Sequence, residues 1–413
     1  MIESEMMKKT KMLPWNFVSI SGEIIVILWL TLYHLQVCSQ TWEPQSAIVS
    51  DIIPVAGQTT SGNTKSSSDL SRRYFPVAVS HRNWFDAARY RSIPVRIYWP
   101  TQIQEKCPVI IFSHGLGGSN EKCAYLGQAW AAQGFVSVHV QHPGIDDQVW
   151  KGKIRPVKEL RDMYSQHWSG RTQANDIRFV LNQLDWLVAD GNSFGQMLDM
   201  AHVGVAGYDL GGLAAMLVAG QQPPDRGTSL HDPRVKAIVV MSPPVADQMS
   251  FAPVSYGAMT TPALFFTGTE DDGVVGPTKA SQRRIPFDYM QGQDRFLITY
   301  QDAGHLIYSG HFLPMKSLDD QKYQANIAQT SLLFWRAYLK EEPAVHAYFH
   351  GRSLGSIVGV LGRIERRLGG NSTDIVQPES HDQVFAPIPP PIGPLSTGTV
   401  NRDRPAVAIN DTY

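Results

Sequence analysis

The chain lacks an excess of charge of either sign. Its 36 Lys and Arg offset 37 Asp and Glu, for a formal net charge of −1. It therefore has no basic footprint with which to hold a phosphate backbone, and nucleic acid is not an expected partner. Cysteine is scarce: Cys38, Cys107 and Cys123 do not make a disulfide framework, and no Cys/His spacing marks a zinc site. If Cys38 leaves with a processed leader, Cys107 and Cys123 are left to pair in an oxidising compartment, although two small buried hydrophobes is the preferred reading. No internal repeat is present, and no motif implies a metal or an organic cofactor.

Long membrane-spanning runs are lacking too. The apolar run from Ile24 to Val37 falls short of the ~20 residues that cross a bilayer, and Glu23 blocks its extension upstream. It follows Lys8, Lys9 and Lys11 and ends in Val37-Cys38-Ser39. A basic start, a short apolar middle and small residues at the end describe a secretory signal over 1–39. Export to a periplasmic or extracellular space is expected, with an uncleaved membrane anchor as the alternative. A lipoprotein reading of Leu35-Gln36-Val37-Cys38 is weaker, because Val37 is bulky where a small residue belongs. Residues 40–72, rich in Ser, Thr, Gln and Gly, read as a flexible leader.

A globular pattern runs from 73 to 345. Residues 75–79 and 93–100 alternate like an opening antiparallel hairpin. Cys107–Ser113 is a continuous apolar run, as in a strand buried on both faces of a parallel sheet. A helix over 124–133 and a strand over 135–140 follow, then a helix over 172–189 with Ile177, Val180, Leu181, Leu184 and Leu187 at helical spacing. Strands are expected at 235–241, 263–268 and 295–300, and a last helix at 321–339. This alternation predicts an α/β fold, a mostly parallel doubly wound sheet with helices on both faces. The polar, aromatic stretch 142–170 is placed as a cap or specificity loop over the strand C-termini. Residues 346–413, with the polyproline stretch 386–394, read as a low-complexity tail.

The chemistry centres on Val203-Gly204-Val205-Ala206-Gly207-Tyr208-Asp209-Leu210-Gly211-Gly212. An apolar run meets a tight turn, and an Ala/Leu/Met helix follows. That is the strand–turn–helix context of a nucleophile elbow, with Asp209 where a serine ordinarily stands. Two true G-x-S-x-G matches, around Ser193 and Ser353, lack that context and read as chance. Earlier in the chain, His114-Gly115-Leu116-Gly117-Gly118 follows a strand with small residues that free backbone N–H groups to face an oxyanion. Leu116, Gly117 and Leu210 are the expected donors. After the elbow, Glu270-Asp271-Asp272 offers an acid, Asp271 first and Asp272 or Glu270 as alternatives. Ala303-Gly304-His305 offers a base. Tyr208, Trp150 and His142 are the expected pocket residues; His114 and His139 read as structural or pocket-lining.

Together, Phe112–Gly118, Gln141-His142-Pro143-Gly144, the Asp146–Trp150 loop, Gly268-Thr269-Glu270-Asp271 and Gly304-His305 resemble secreted α/β-hydrolases. The chain is most similar to esterases of the platelet-activating-factor acetylhydrolase and dienelactone-hydrolase type, over roughly 75–340. The resemblance implies an ester or lipid-ester hydrolase acting on a small-molecule or lipid-like substrate, with Asp209, Asp271 and His305 at the triad positions. It departs from the family at the nucleophile. A carboxylate attacks an sp³ carbon directly, as in epoxide hydrolases and haloalkane dehalogenases, but would form an anhydride from a carboxylic ester. Three readings stay open: Asp209 as nucleophile, Asp209 as general base for water, or an esterase-like scaffold that binds without turnover.

Overall fold

The computed structural model describes residues 74–245, 249–309, 317–351, 354–369 and 374–376. The expected signal, the flexible leader and the polyproline stretch lie outside them.

Among the described residues, ten strands form one sheet in the order β1-β2-β4-β3-β5-β6-β7-β8-β9-β10. They are β1 (Val77–Asp86), β2 (Arg91–Pro100), β3 (Cys107–Ser113), β4 (Val136–Val140), β5 (Leu198–Tyr208), β6 (Val235–Met241), β7 (Ala263–Glu270), β8 (Arg295–Gly304), β9 (Gly362–Arg367) and β10 (Asp374–Val376). The six strands from β4 to β8 run parallel. The hairpin β1–β2 flanks one side antiparallel, and β9–β10 flanks the other. The α-helices are α1 (Ala124–Ala131), α2 (Pro156–His167), α3 (Arg171–Asp190), α4 (Ser193–Met197), α5 (Leu210–Val218), α6 (Ala252–Gly257), α7 (Ile285–Tyr289), α8 (Ser317–Tyr338), α9 (Pro343–His350) and α10 (Leu354–Val358).

The period-2 pattern of each central strand explains the two-sided core. Val109 and Ile111 of β3 face one layer with Ile177, Val180 and Leu184 of α3 and the apolar α5. Ile110 and Phe112 face the other, with Trp130 of α1 and Ile327, Phe334 and Trp335 of α8. Trp130 and Trp335 are fully buried and meet edge to face at 5.9 Å. Truncating such a side chain costs about 3–5 kcal/mol, because the close-packed layer cannot collapse onto the cavity.

One expectation and one alternative are corrected here. Residues 346–351 and 354–369 are packed elements, not the start of a low-complexity tail. α9, α10 and β9 bury Phe349, Leu354, Val358 and Ile364, and β9 pairs with β8. Their apolar residues are spaced among polar ones, and that sparse pattern obscured them. The option of a Cys107–Cys123 disulfide also fails: both are free and buried, with Cys123 Sγ donating to the Tyr308 carbonyl at 3.0 Å. Burial pushes both thiols up, to about 11 and about 12. Ser193 sits exposed in the short helix α4, directly before β5 begins at Leu198, so no strand leads into it.

Candidate active site

β3 and β5 are neighbours, but β4 returns on the far side of β3. That reversal opens a crevice at the carboxyl ends of the strands, where open α/β sheets bind their ligands. The loop after β3 and the turn after β5 meet there. At the turn Asp209 adopts φ 54°, ψ −122°, a conformation that L residues rarely occupy. Two glycines make it possible. A Cβ at Gly207 would overlap the Gly211 carbonyl, and a Cβ at Gly211 would overlap the Ser113 carbonyl. The helix α5 can therefore pass close to both strands only because those side chains are missing. The Asp209 amide donates to the Met241 carbonyl at 3.0 Å, which ties the turn to β6.

The Asp209 carboxylate faces two partners. The Leu116 amide donates to Oδ2 at 3.1 Å, and Oδ1 lies 3.9 Å from His305 Nε2. The second distance is longer than a hydrogen bond. On its other side, His305 Nδ1 donates to Asp271 Oδ1 at 2.9 Å. Asp271 is fully buried at the end of β7 and accepts further from Ser242 Oγ at 2.6 Å and Thr267 Oγ1 at 3.0 Å. Among the three acidic neighbours, Asp271 alone reaches the imidazole. Asp272 turns outward, accepting from the Ala280 amide and from Lys279 Nζ, each at 2.9 Å. Those bonds hold its carboxyl below the usual range. Glu270 is exposed at the end of β7.

Two residues of this cluster have no counterpart in the sequence reading. Ser242, at φ 48° just after β6, places its Oγ 2.7 Å from His305 Nδ1 as well as on Asp271. Arg283 is 1% exposed; its guanidinium donates to the carbonyls of Asp271, Ser242 and Pro243 and lies 3.5 Å from Asp271 Oδ1. A polar residue closing the apolar run 235–241 was the available signal for Ser242. Arg283 had none, since it joins the site through tertiary contacts.

The loop after β3 differs from expectation in one donor. The Gly117 amide is committed to the Ile145 carbonyl at 2.8 Å and is not free to face an oxyanion. The Asp147 amide donates to Gly118, so residues 145–147 clamp the loop by backbone pairing. Leu116 keeps its amide on the cleft. Leu210 opens α5, and first-turn amides have no intrahelical acceptor, so its N–H is the second candidate donor.

The expected pocket residues also separate. Tyr208 lines the cleft, and its hydroxyl donates to the His305 carbonyl at 3.0 Å. Trp150 instead braces the loop from behind, its indole donating to the Gly117 carbonyl at 2.8 Å. His142 is fully buried beneath the loop: Nδ1 donates to Asp176 Oδ2 at 3.0 Å and Nε2 accepts from Ser113 Oγ at 2.8 Å. His114 is buried beside it, donating from Nδ1 to the Gly115 carbonyl and accepting the His142 amide at Nε2. Burial pushes His114 down to about 3, so it stays neutral, as that bonding requires. His139 is buried as well. The cleft measures about 90 Å³ and is closed on one side by Leu160 and Tyr164 of α2, within the stretch expected to form a cap.

The family of platelet-activating factor acetylhydrolase, isoform II, matches residues 81–148. This is an α/β-hydrolase fold. The matched segment covers most of β1, all of β2–β4 and the loop at Leu116, and it stops before Asp209, Asp271 and His305. The similarity is thus to a hydrolase family, over the half of the site that supplies the loop donor. No curated protein matches the chain.

Proposed function

We propose that this chain is a hydrolase of a small electrophile, in which Asp209 supplies the attacking oxygen and His305, oriented by Asp271, activates the water that completes the reaction. The observation that carries the reading is the split geometry of the Asp209 carboxylate, with Oδ2 on the Leu116 amide and Oδ1 toward His305. Attack by Oδ1 on an electrophilic carbon breaks that carbon's bond to its leaving group and forms an ester with Asp209. Water then adds to the Asp209 carboxyl carbon while His305 Nε2 takes its proton. The negative charge of that step develops on Oδ2, against a backbone donor already in place, which is the arrangement electrostatic stabilisation needs. The imidazolium returns the proton to the departing alkoxide, and Asp209, left as the carboxylic acid, loses its remaining proton to solvent and is restored as the carboxylate. The gap of 3.9 Å between Nε2 and Oδ1 favours this order of events over direct deprotonation, since a carboxylate has no proton to give. Lys122 lines the same cleft, and burial holds its ammonium below the usual lysine range.

Similarity to an acetylhydrolase family makes esters the first substrates to test, and the carboxylate makes epoxides and alkyl halides the second. Export directed by residues 1–39 is part of the same proposal. One observation favours a second reading, a retained scaffold without turnover: Asp209 Oδ2 fills the oxyanion position that an ester carbonyl would need. The purified protein, Asp209→Asn and Asp209→Ser are assayed on p-nitrophenyl esters, epoxides and haloalkanes. Turnover by the wild type that is lost in Asp209→Asn supports the proposal. Activity that appears only in Asp209→Ser supports the scaffold reading, and ester turnover that survives Asp209→Asn overturns the assignment of Asp209.

A further inference from the structure

At the opposite end of β8 from His305, three side chains converge. His346 and His350 lie one turn apart on α9, which puts both imidazoles on one helix face. Asp294, just before β8 and 56 residues ahead of His350, brings a carboxylate to them. One donor atom from each lies within 4.8 Å of the other two. We propose that Asp294, His346 and His350 bind one divalent transition-metal ion of the zinc class.

Two imidazoles and a carboxylate are a donor set that holds such an ion and leaves a fourth position to water. The spacing suits it. A tetrahedral ion with bonds of about 2.0–2.2 Å keeps its donors roughly 3.3 Å apart. Here His350 Nε2 and Asp294 Oδ2 are 2.7 Å apart and the widest separation is within 4.8 Å, so the required value lies between the two. Binding needs the closest pair to part by about half an ångström and His350 to carry its proton on Nδ1.

The frame is rigid enough to hold that geometry. Val345 and Phe349, on the adjoining face of α9, are buried, and Phe349 packs on Phe296 at 5.0 Å and on Phe334 at 5.8 Å. The helix therefore cannot turn its histidines away. Tyr338 of α8 donates to Asp294 Oδ2 at 2.9 Å, the kind of outer hydrogen bond that orients a ligating carboxylate. No zinc spacing is visible in the sequence because the third donor, Asp294, lies 56 residues from His350. The site is also independent of the cleft: β8 is ten residues long, placing the two ends on the order of 30 Å apart.

The test is titration calorimetry of the full chain, stripped on a chelating resin, with zinc chloride, beside His346→Ala treated identically. His346 is partly exposed and alanine is a good helix former, so equal melting temperatures of the two metal-free proteins show an intact fold. The expected result is one zinc equivalent bound by the wild type and at least tenfold weaker binding in the variant, with cobalt giving the absorption bands of a tetrahedral ion only in the wild type. Identical zinc isotherms for the two proteins, or no saturable binding to the wild type, would overturn the proposal.

Discussion

Asp176→Asn isolates the polar network that holds the Leu116 loop in place. Asp176 is fully buried on α3 and accepts from four donor atoms of three residues: Arg89 Nη1 at 2.7 Å, Arg91 Nε and Nη2 at 3.0 Å each, and His142 Nδ1 at 3.0 Å. From His142 the chain of bonds continues to Ser113 and His114, the residues that lead into Gly115 and Leu116. Asparagine keeps the shape but removes the charge and faces an amide group toward donors. Breaking a buried ion pair on one side costs about 3–5 kcal/mol. The arginine side chains are 28% and 21% exposed, so water recovers part of that, and about 2–4 kcal/mol remains. At about 2–4 °C per kcal/mol for a domain of this size, the melting temperature falls by roughly 5–15 °C. The pH dependence has a definite sign. Burial alone would raise the Asp176 carboxyl, but the bonds from His142 and Arg91 more than offset it and the net shift is downward. A lowered folded pKa gives stability that is present above the ordinary carboxylate value of about 3.9 and is lost as pH falls through the folded value. The gap between wild type and variant therefore stays constant from pH 5 to pH 8 and closes only in acid below about pH 4. Melting temperatures within 2 °C of each other at pH 7 would refute this account of the network.

The remaining predictions concern the site itself. Asp271→Asn removes the charge that orients His305 and lowers turnover by about 10⁴-fold, whereas Asp272→Asn, on an outward carboxylate, leaves it unchanged; steady-state rates on any accepted substrate decide this. Gly211→Ala drives a methyl group into the Ser113 carbonyl and costs about 1–3 kcal/mol in denaturant melts, with a larger loss of turnover because the same overlap pushes the elbow away from the Leu116 loop. A Gly211→Ala protein of wild-type stability would show that the close approach is not required.

The framework of the fold was readable because β3 and β6 are buried almost throughout and spell nearly continuous apolar runs, while β4 alternates Val136, Val138 and Val140 with Ser137 and His139. The elbow was readable for a related reason: Gly207 and Gly211 are fixed by steric overlap, so the turn is written into local sequence. What stayed hidden depends on distant partners. The commitment of the Gly117 amide to Ile145, the bracing role of Trp150 and the burial of His142 follow from how residues 142–150 fold back on the loop, which no local pattern encodes. Arg283 reaches Asp271 from 12 residues away, and Asp294 reaches His350 from 56, so composition near either residue carried no sign of its neighbour.

The central claim is that the oxygen delivered to product comes from Asp209. A single turnover in water enriched in ¹⁸O tests it directly, followed by digestion and mass measurement of the peptide that carries residue 209. The account predicts that the heavy oxygen enters the Asp209 carboxylate and that the first product is unlabelled. Label found in the product alone, with the peptide unchanged, would contradict it and show that water attacks the substrate without passing through Asp209.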